Sequence, residues 1–232
     1  MIEIEDLPDW YRPLASAARE VDASFLSRFV PPEGGDGRES AVLILLAEGP
    51  FGPDVLITQR PPAMRDHPGQ PAFPGGSRDP EDLDAIDTAL REAEEEVGLL
   101  RSGVEIVALL PKLWLPPSNF YVTPVLAWWR EPSEVRAVDP AEVEWVARVP
   151  ISDLTDPANR WRIRHPSGIQ GPAFDAEGML IWGFTGGLLD KLLVLAGWEQ
   201  PWDSQRYIEI PAPYGAGRPS SVRRGGESLA TG

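Results

Sequence analysis

The chain has 232 residues, enough for one domain with a sizeable core and short extensions. It carries 21 Lys and Arg against 36 Asp and Glu, a formal charge of -15, with 42% hydrophobic residues; this is the make-up of a soluble globular protein and lacks the basic face of a general nucleic-acid binder. With no cysteine it has no disulfide framework, no cysteine zinc site and no thiol nucleophile.

In chain order, the first residues (MIEIEDLPDWYRP) are acidic and broken by prolines, without the basic region and apolar run of a signal peptide. No apolar run is long enough to span a membrane, so a cytoplasmic location without membrane partners is the expectation. Residues 14–29 read as an amphipathic helix, and 31–37 (PPEGGDG) as a connector. Strands are expected over 41–47 (AVLILLA) and 54–58 (DVLIT), either side of a Gly-Pro turn. Residues 59–78 are rich in Pro and Gly and read as a structured loop, and 80–97 as a strong helix. Further strands are expected over 104–110, 121–130 and 143–149, then an irregular excursion with a hairpin over 156–177, and a second helix over 183–195. The Gly, Ser and Arg-rich end reads as a disordered tail. This divides the chain into an extension at 1–37, a main domain at 38–212 and a tail at 213–232. Short strands alternating with helices predict an α/β (α+β) layered domain: a mixed sheet between helices.

The helix over 80–97 carries the chemistry. Asp79 suits its N-cap, Pro80 its first position, Asp82 a capping-box-like partner, and Gly98 its C-terminal stop. At about 100° per residue, Ala85, Ile86, Ala89, Leu90, Ala93 and Val97 form one apolar stripe. Glu92, Glu95 and Glu96 fall together beside it, and Glu94 points elsewhere. Like charges at this spacing repel by roughly 0.2–0.5 kcal/mol per exposed pair, and more when partly buried. A solvated acidic face is the ordinary explanation of such a run. It fits poorly here, because the helix has no lysine and only Arg91 nearby. A divalent cation relieves the repulsion directly, and carboxylates without His or Cys select a hard ion, Mg²⁺ or Mn²⁺.

The order of residues goes further. Gly76, followed by Arg91-Glu92-Ala93-x-Glu95-Glu96-x-Gly98-Leu99, resembles the signature box of the Nudix hydrolase family. Fourteen residues separate Gly76 from Arg91, one more than the general box has, so its spaced acid falls on Glu81 or Asp82. Upstream, Leu56-Ile57-Thr58-x-Arg60, Arg65, Gly69 and Phe73-Pro74-Gly75-Gly76 resemble the extra signature of the Nudix branch that hydrolyses coenzyme A and its derivatives. Residues 118–125 (SNFYVTPV) and Ile181-Trp182-Gly183 are similar to segments of that branch, and the resemblance covers roughly 40–197.

The resemblance implies a Nudix α/β/α sandwich, Mg²⁺ or Mn²⁺ as cofactor, and a small-molecule nucleotide substrate rather than nucleic acid. The reaction implied is coenzyme A plus water giving 3′,5′-ADP and 4′-phosphopantetheine. Glu92, Glu95, Glu96 and the Gly76 carbonyl are the expected metal site. Glu95 is either a ligand or the base that takes a proton from water, and Arg91 orients a carboxylate. Arg60 and Arg65 are expected on substrate phosphates, where guanidinium geometry suits, and Gly75 beside them for close backbone approach. Glu142 and Glu144 offer acids from beyond the box, but solvated positions explain them as well. His67 and His165 read as structural or exposed, and the tryptophans as packing. Two alternatives stay open: another dinucleotide such as ADP-ribose or NADH as substrate, and a nucleotide-sensing module without catalysis. The N-terminal helix either covers the core or joins a homodimer interface.

Overall fold

The structure is a computed structural model that describes residues 1–64, 68–116, 118–164 and 170–210. The expected tail at 213–232 lies outside the described residues. Strand β1 (Arg38–Gly49) is the spine of the domain. Its apolar run is continuous because both faces are covered: Leu43, Leu45 and Ala47 enter one core, Ile44 and Leu46 the other. β1 pairs antiparallel with β2 (Gly52–Gln59), Leu46 opposite Val55, and with β4 (Gly75–Ser77), Val42 opposite Gly75. It runs parallel to β7 (Phe120–Trp129), Ala41 beside Thr123. β2 adds β3 (Pro71–Ala72) and β8 (Trp145–Pro150); β7 adds β5 (Val104–Leu109) and β6 (Leu113–Leu115). Eight strands thus form one mixed sheet.

Helix α3 (Ala85–Val97) lays Ala89, Ala93 and Val97 on the face made by Ala41, Leu43 and Leu45. The opposite face holds α1 (Arg12–Glu20) and α5 (Gly183–Leu195), with Leu14, Ala15, Leu188, Leu189 and Leu192 packed around Ile44, Leu46, Val55 and Ile57. Each large aliphatic side chain buried there contributes roughly 1.5–3 kcal/mol. The N-terminal segment is part of this core: Tyr11 is fully buried and its hydroxyl donates to the Ala127 carbonyl at 2.9 Å. The result is the α/β/α layering expected from the sequence. Among the described residues no helix is long and apolar enough to cross a membrane.

Three expectations need correction. The helix expected over 14–29 is two helices, α1 and the short α2 (Ala23–Leu26), because Val21 and Asp22 are extended. Ser27 competes with helix continuation, its hydroxyl accepting from the Phe29 N–H. The helix expected from Pro80 begins at Ala85, and its N-cap is Asp84, which accepts from the N–H groups of Ile86 and Asp87, not Asp79. Asp82 does accept from the Asp79 N–H at 2.8 Å, but the pair closes a turn ahead of the helix. The excursion expected over 156–177 does hold the expected hairpin, but its strands belong to a second sheet and are not irregular. After α4 (Ile151–Thr155), β9 (Arg160–Arg164), β10 (Gln170–Ala176) and β11 (Met179–Ile181) form a second sheet with β12 (Tyr207–Glu209), in the order β11-β10-β9-β12. The alternation in Arg160-Trp161-Arg162-Ile163-Arg164 hid β9, since its most deeply buried side chain is an arginine. Arg160 is 0% exposed, ion-paired to Asp190 and Glu199 and flanked by the rings of Phe174 and Trp202 at 4.8 and 4.5 Å.

Candidate active site

The site is built where α3 meets β4. Gly75 crosses so close to β1 that a Cβ there would lie 2.3 Å from the Ala41 carbonyl oxygen, at φ +152°. That approach directs the Gly75 N–H into α3, where it donates to the Glu96 carboxylate at 3.1 Å. Gly76, the next residue, faces Glu92: a Cβ on it would fall 2.5 Å from the Glu92 carboxyl carbon. The two glycines therefore do different work. Gly75 seats one carboxylate through its amide, and Gly76 leaves room for the other.

Glu96 is 8% exposed, and burial, the dominant cause, raises its pKa to about 8. The Gly75 N–H and the nearby Arg60 charge oppose that rise, while Glu92 and Glu142 add to it. Glu92 is raised too, chiefly by burial, with Arg91 opposing and Glu95 and Glu142 adding. Glu142 was noted in the sequence and not chosen. It sits on a turn begun by Asp139, and the loop before it is tied down by the N–H groups of Arg136 and Val138 on the Val97 and Glu96 carbonyls. The same bonds satisfy carbonyls that the end of α3 leaves open. Nothing in the spacing of residues 92–142 announces this return.

Arg91 is the hub. Its Nε and Nη2 grip both oxygens of Asp82 at 2.9 and 3.0 Å, Nη1 donates to Glu95 at 2.9 Å, and Nη2 also reaches Glu92 at 3.1 Å and the Ser77 carbonyl at 3.0 Å. The Asp82 side chain is only 3% exposed, and the bond from Arg91 holds its carboxyl well below the usual range. Asp82 in turn holds the arginine protonated. Of the two acids offered for the spaced position, Asp82 is the one built in, as the anchor of Arg91, and Glu81 is exposed.

The three helix carboxylates do not converge equally. Glu92 and Glu96 share the buried side of α3, whereas the Glu95 side chain is 58% exposed and drawn to Arg91. Among the described residues no three Asp, Glu, His or Cys side chains by themselves form a group that could hold an ion. Glu92, Glu96 and the Gly76 carbonyl are nevertheless a donor set suited to a hard divalent ion. Burial raises the pKa of both carboxylates, Glu92 adds to the rise at Glu96, and the cradle at Gly76 keeps the backbone beside Glu92. Arg60 stands at the foot of the loop that follows β2, near Glu96. Arg65, with His67, lies outside the described residues, as does His165.

A family model described as NUDIX domain matches residues 37–168. A protein of Enterobacter sp. (strain 638), described as uncharacterized Nudix hydrolase NudL, is 37% identical over 186 residues, covering 75% of this chain and 93% of that one. One of the same description from Escherichia coli (strain K12 / DH10B) is 36% identical over 186 residues, with the same coverage. A crystal structure of a Nudix hydrolase from M. smegmatis, RenU, superposes with a TM-score of 0.49 at 19% identity, over 75% of this chain and 98% of that chain.

Proposed function

The chain belongs to the Nudix hydrolase family, and from that premise we propose that it cleaves the pyrophosphate of coenzyme A or its derivatives, with Mg²⁺ or Mn²⁺, to 3′,5′-ADP and 4′-phosphopantetheine. The observation that carries the substrate class is the segment 56–76. Its glycines shape the carboxylate site while its Arg60 is close enough for its charge to act on Glu96, so one stretch of chain joins the carboxylates to a cation. That stretch is also the one whose sequence resembles the coenzyme A signature.

Glu92 and Glu96, with the Gly76 carbonyl, would hold the ion, which when bound neutralises pyrophosphate oxygens and acidifies a water. Glu95, exposed at the mouth, accepts the proton of the attacking water; the water oxygen bonds to phosphorus as the bridging P–O bond breaks. Arg91 fixes Glu92 and Glu95 relative to each other, and Asp82 fixes Arg91. Arg60 offsets the charge of the substrate phosphates, and Arg65 is proposed for the same task. Gly75, buried and with its N–H on Glu96, acts through the carboxylate.

Comparison of kcat/KM for coenzyme A, ADP-ribose and NADH under Mg²⁺ tests the substrate class. Coenzyme A is expected to lead; a lead for either other dinucleotide would remove it. Two substitutions separate the roles of the glycines. In Gly76→Ala the three atoms nearest the new Cβ all belong to the movable end of Glu92, so the melting temperature should hold while turnover falls about 100-fold, the scale of misplacing a reacting group by about 1 Å. In Gly75→Ala it meets β1 backbone, 2.7 Å from the Val42 Cα, and thermal stability should fall with activity. Asp82→Asn should keep the fold and lower kcat about 10–100-fold, the range for losing a group that orients a metal ligand, read from initial rates at saturating Mg²⁺.

A further inference from the structure

The loop that carries Arg60 leaves the sheet at the end of β2 and returns at β3. Its neck is closed by the Arg60 N–H on the Gln70 carbonyl at 3.1 Å and the Gly69 N–H on the Pro61 carbonyl at 3.2 Å. The return strand is weak by construction. β3 has two residues, and one of them, Pro71, opposite Gln59, has no N–H to give the ladder. What holds Pro71 comes from the other layer. Thr185, in the first turn of α5, is 5% exposed, and its hydroxyl donates to the Pro71 carbonyl at 3.1 Å. That first turn is itself seated hard: a Cβ on the neighbouring Gly186 would lie 3.0 Å from the Ile181 carbonyl and 3.1 Å from that of Pro172, so α5 starts flush against β10 and β11. β11 also packs on β3. Helix α5, seated on the second sheet, therefore presses one hydroxyl onto the return of the Arg60 loop.

We infer that Thr185 is a positioning residue for substrate binding: through Pro71 it braces the neck of the loop, residues 59–61 and 69–73, in the conformation that presents Arg60 to substrate phosphates. The consequence for binding rests on the coenzyme A reading above; the brace itself does not. Without the hydroxyl the loop spends less time in the competent conformation, and the apparent dissociation constant rises by the inverse of the remaining fraction. The seats of Glu92 and Glu96 stay in place, because Gly75 and Gly76 are held separately by β1.

The test compares the full-length wild type with Thr185→Val, which keeps the shape, and Thr185→Ser, which keeps the hydroxyl. Loss of one buried hydrogen bond should raise KM for coenzyme A about fivefold to tenfold in the valine variant, with kcat within about twofold, and serine should restore it. Hydrogen exchange without substrate reads the brace directly. The Arg60 and Gly69 amides should exchange about fivefold to tenfold faster in the valine variant alone, with β1 amides as the control for global opening. Equal exchange in all three proteins, or a speed-up shared by β1, would overturn the brace whatever the substrate is. A loosened loop with unchanged KM, or a fall in kcat alone, would overturn its role in binding. If the wild type leaves coenzyme A intact, the substrate reading fails, and the exchange comparison still decides the brace.

Discussion

Glu96→Gln should lower turnover by about a thousandfold or more, roughly 4 kcal/mol of transition-state stabilisation, while the protein stays folded. The carboxylate is isosteric with the amide, and the Gly75 N–H can still donate to the amide oxygen, so packing against β4 survives. What goes is the charge that would hold a divalent ion. The same substitution has the opposite effect on the stability of the metal-free protein. Glu96 titrates near 8 in the folded chain, above the ordinary carboxylate value of 4.5, because burial disfavours its ionised form. A raised folded-state pKa contributes stability that is fully present below about 4.5 and is lost as pH rises through about 8. Metal-free wild type should therefore melt progressively lower from pH 5 to pH 9, and Glu96→Gln should flatten that slope. Millimolar Mg²⁺ or Mn²⁺ at pH 8 should raise the wild-type melting temperature and leave the variant unmoved. Full activity in the variant would remove Glu96 from the metal site.

Arg160→Ala should produce the largest loss of stability away from that site. The guanidinium is fully buried, between the Phe174 and Trp202 rings, and holds Asp190 of α5 and Glu199 beyond it. Burial is the stronger influence on it, lowering its pKa despite both acids, and its Nε and Nη1 have no hydrogen-bond partner among the described residues. The cluster is thus costly to form, yet costlier to halve. Removing the arginine strands the half-buried Asp190 and opens a cavity between two aromatic rings. Breaking such a buried pair costs about 3–5 kcal/mol, or about 6–20 °C of melting temperature in a domain of this size. The double variant Arg160→Met with Asp190→Leu should recover most of that loss, because no charge is left buried. Denaturant unfolding of the single and double variants measures both. A single-variant loss under about 1 kcal/mol would mean that the cluster is solvated and does not join the second sheet to α5.

How much of this the sequence disclosed depends on the range of the signal. The layered fold was legible, because β1 reads as an unbroken apolar run and α3 as a stripe at helical spacing, both local patterns. The bounds of α5 were legible for the same reason. The carboxylate side of α3 followed from its period, but the division of labour within it did not. Glu95 is turned outward by Arg91, and Arg91 is aimed by Asp82, which precedes the helix and lies on no helical wheel. Asp84 outcompeted Asp79 as N-cap because Asp82 was already committed to a turn. The second sheet was missed because its innermost residue, Arg160, is of a type that sequence patterns assign to solvent. Glu142 reaches the site from a distant turn and Thr185 reaches its loop from α5, and only the fold brings them there.

The measurement that bears most directly on the account is identification of the products when the purified chain is incubated with coenzyme A and Mg²⁺ or Mn²⁺, followed by chromatography. The account predicts 3′,5′-ADP and 4′-phosphopantetheine in equal amounts, formed only with metal. Intact coenzyme A, under conditions where ADP-ribose or NADH is cleaved or where nothing is cleaved at all, would contradict it.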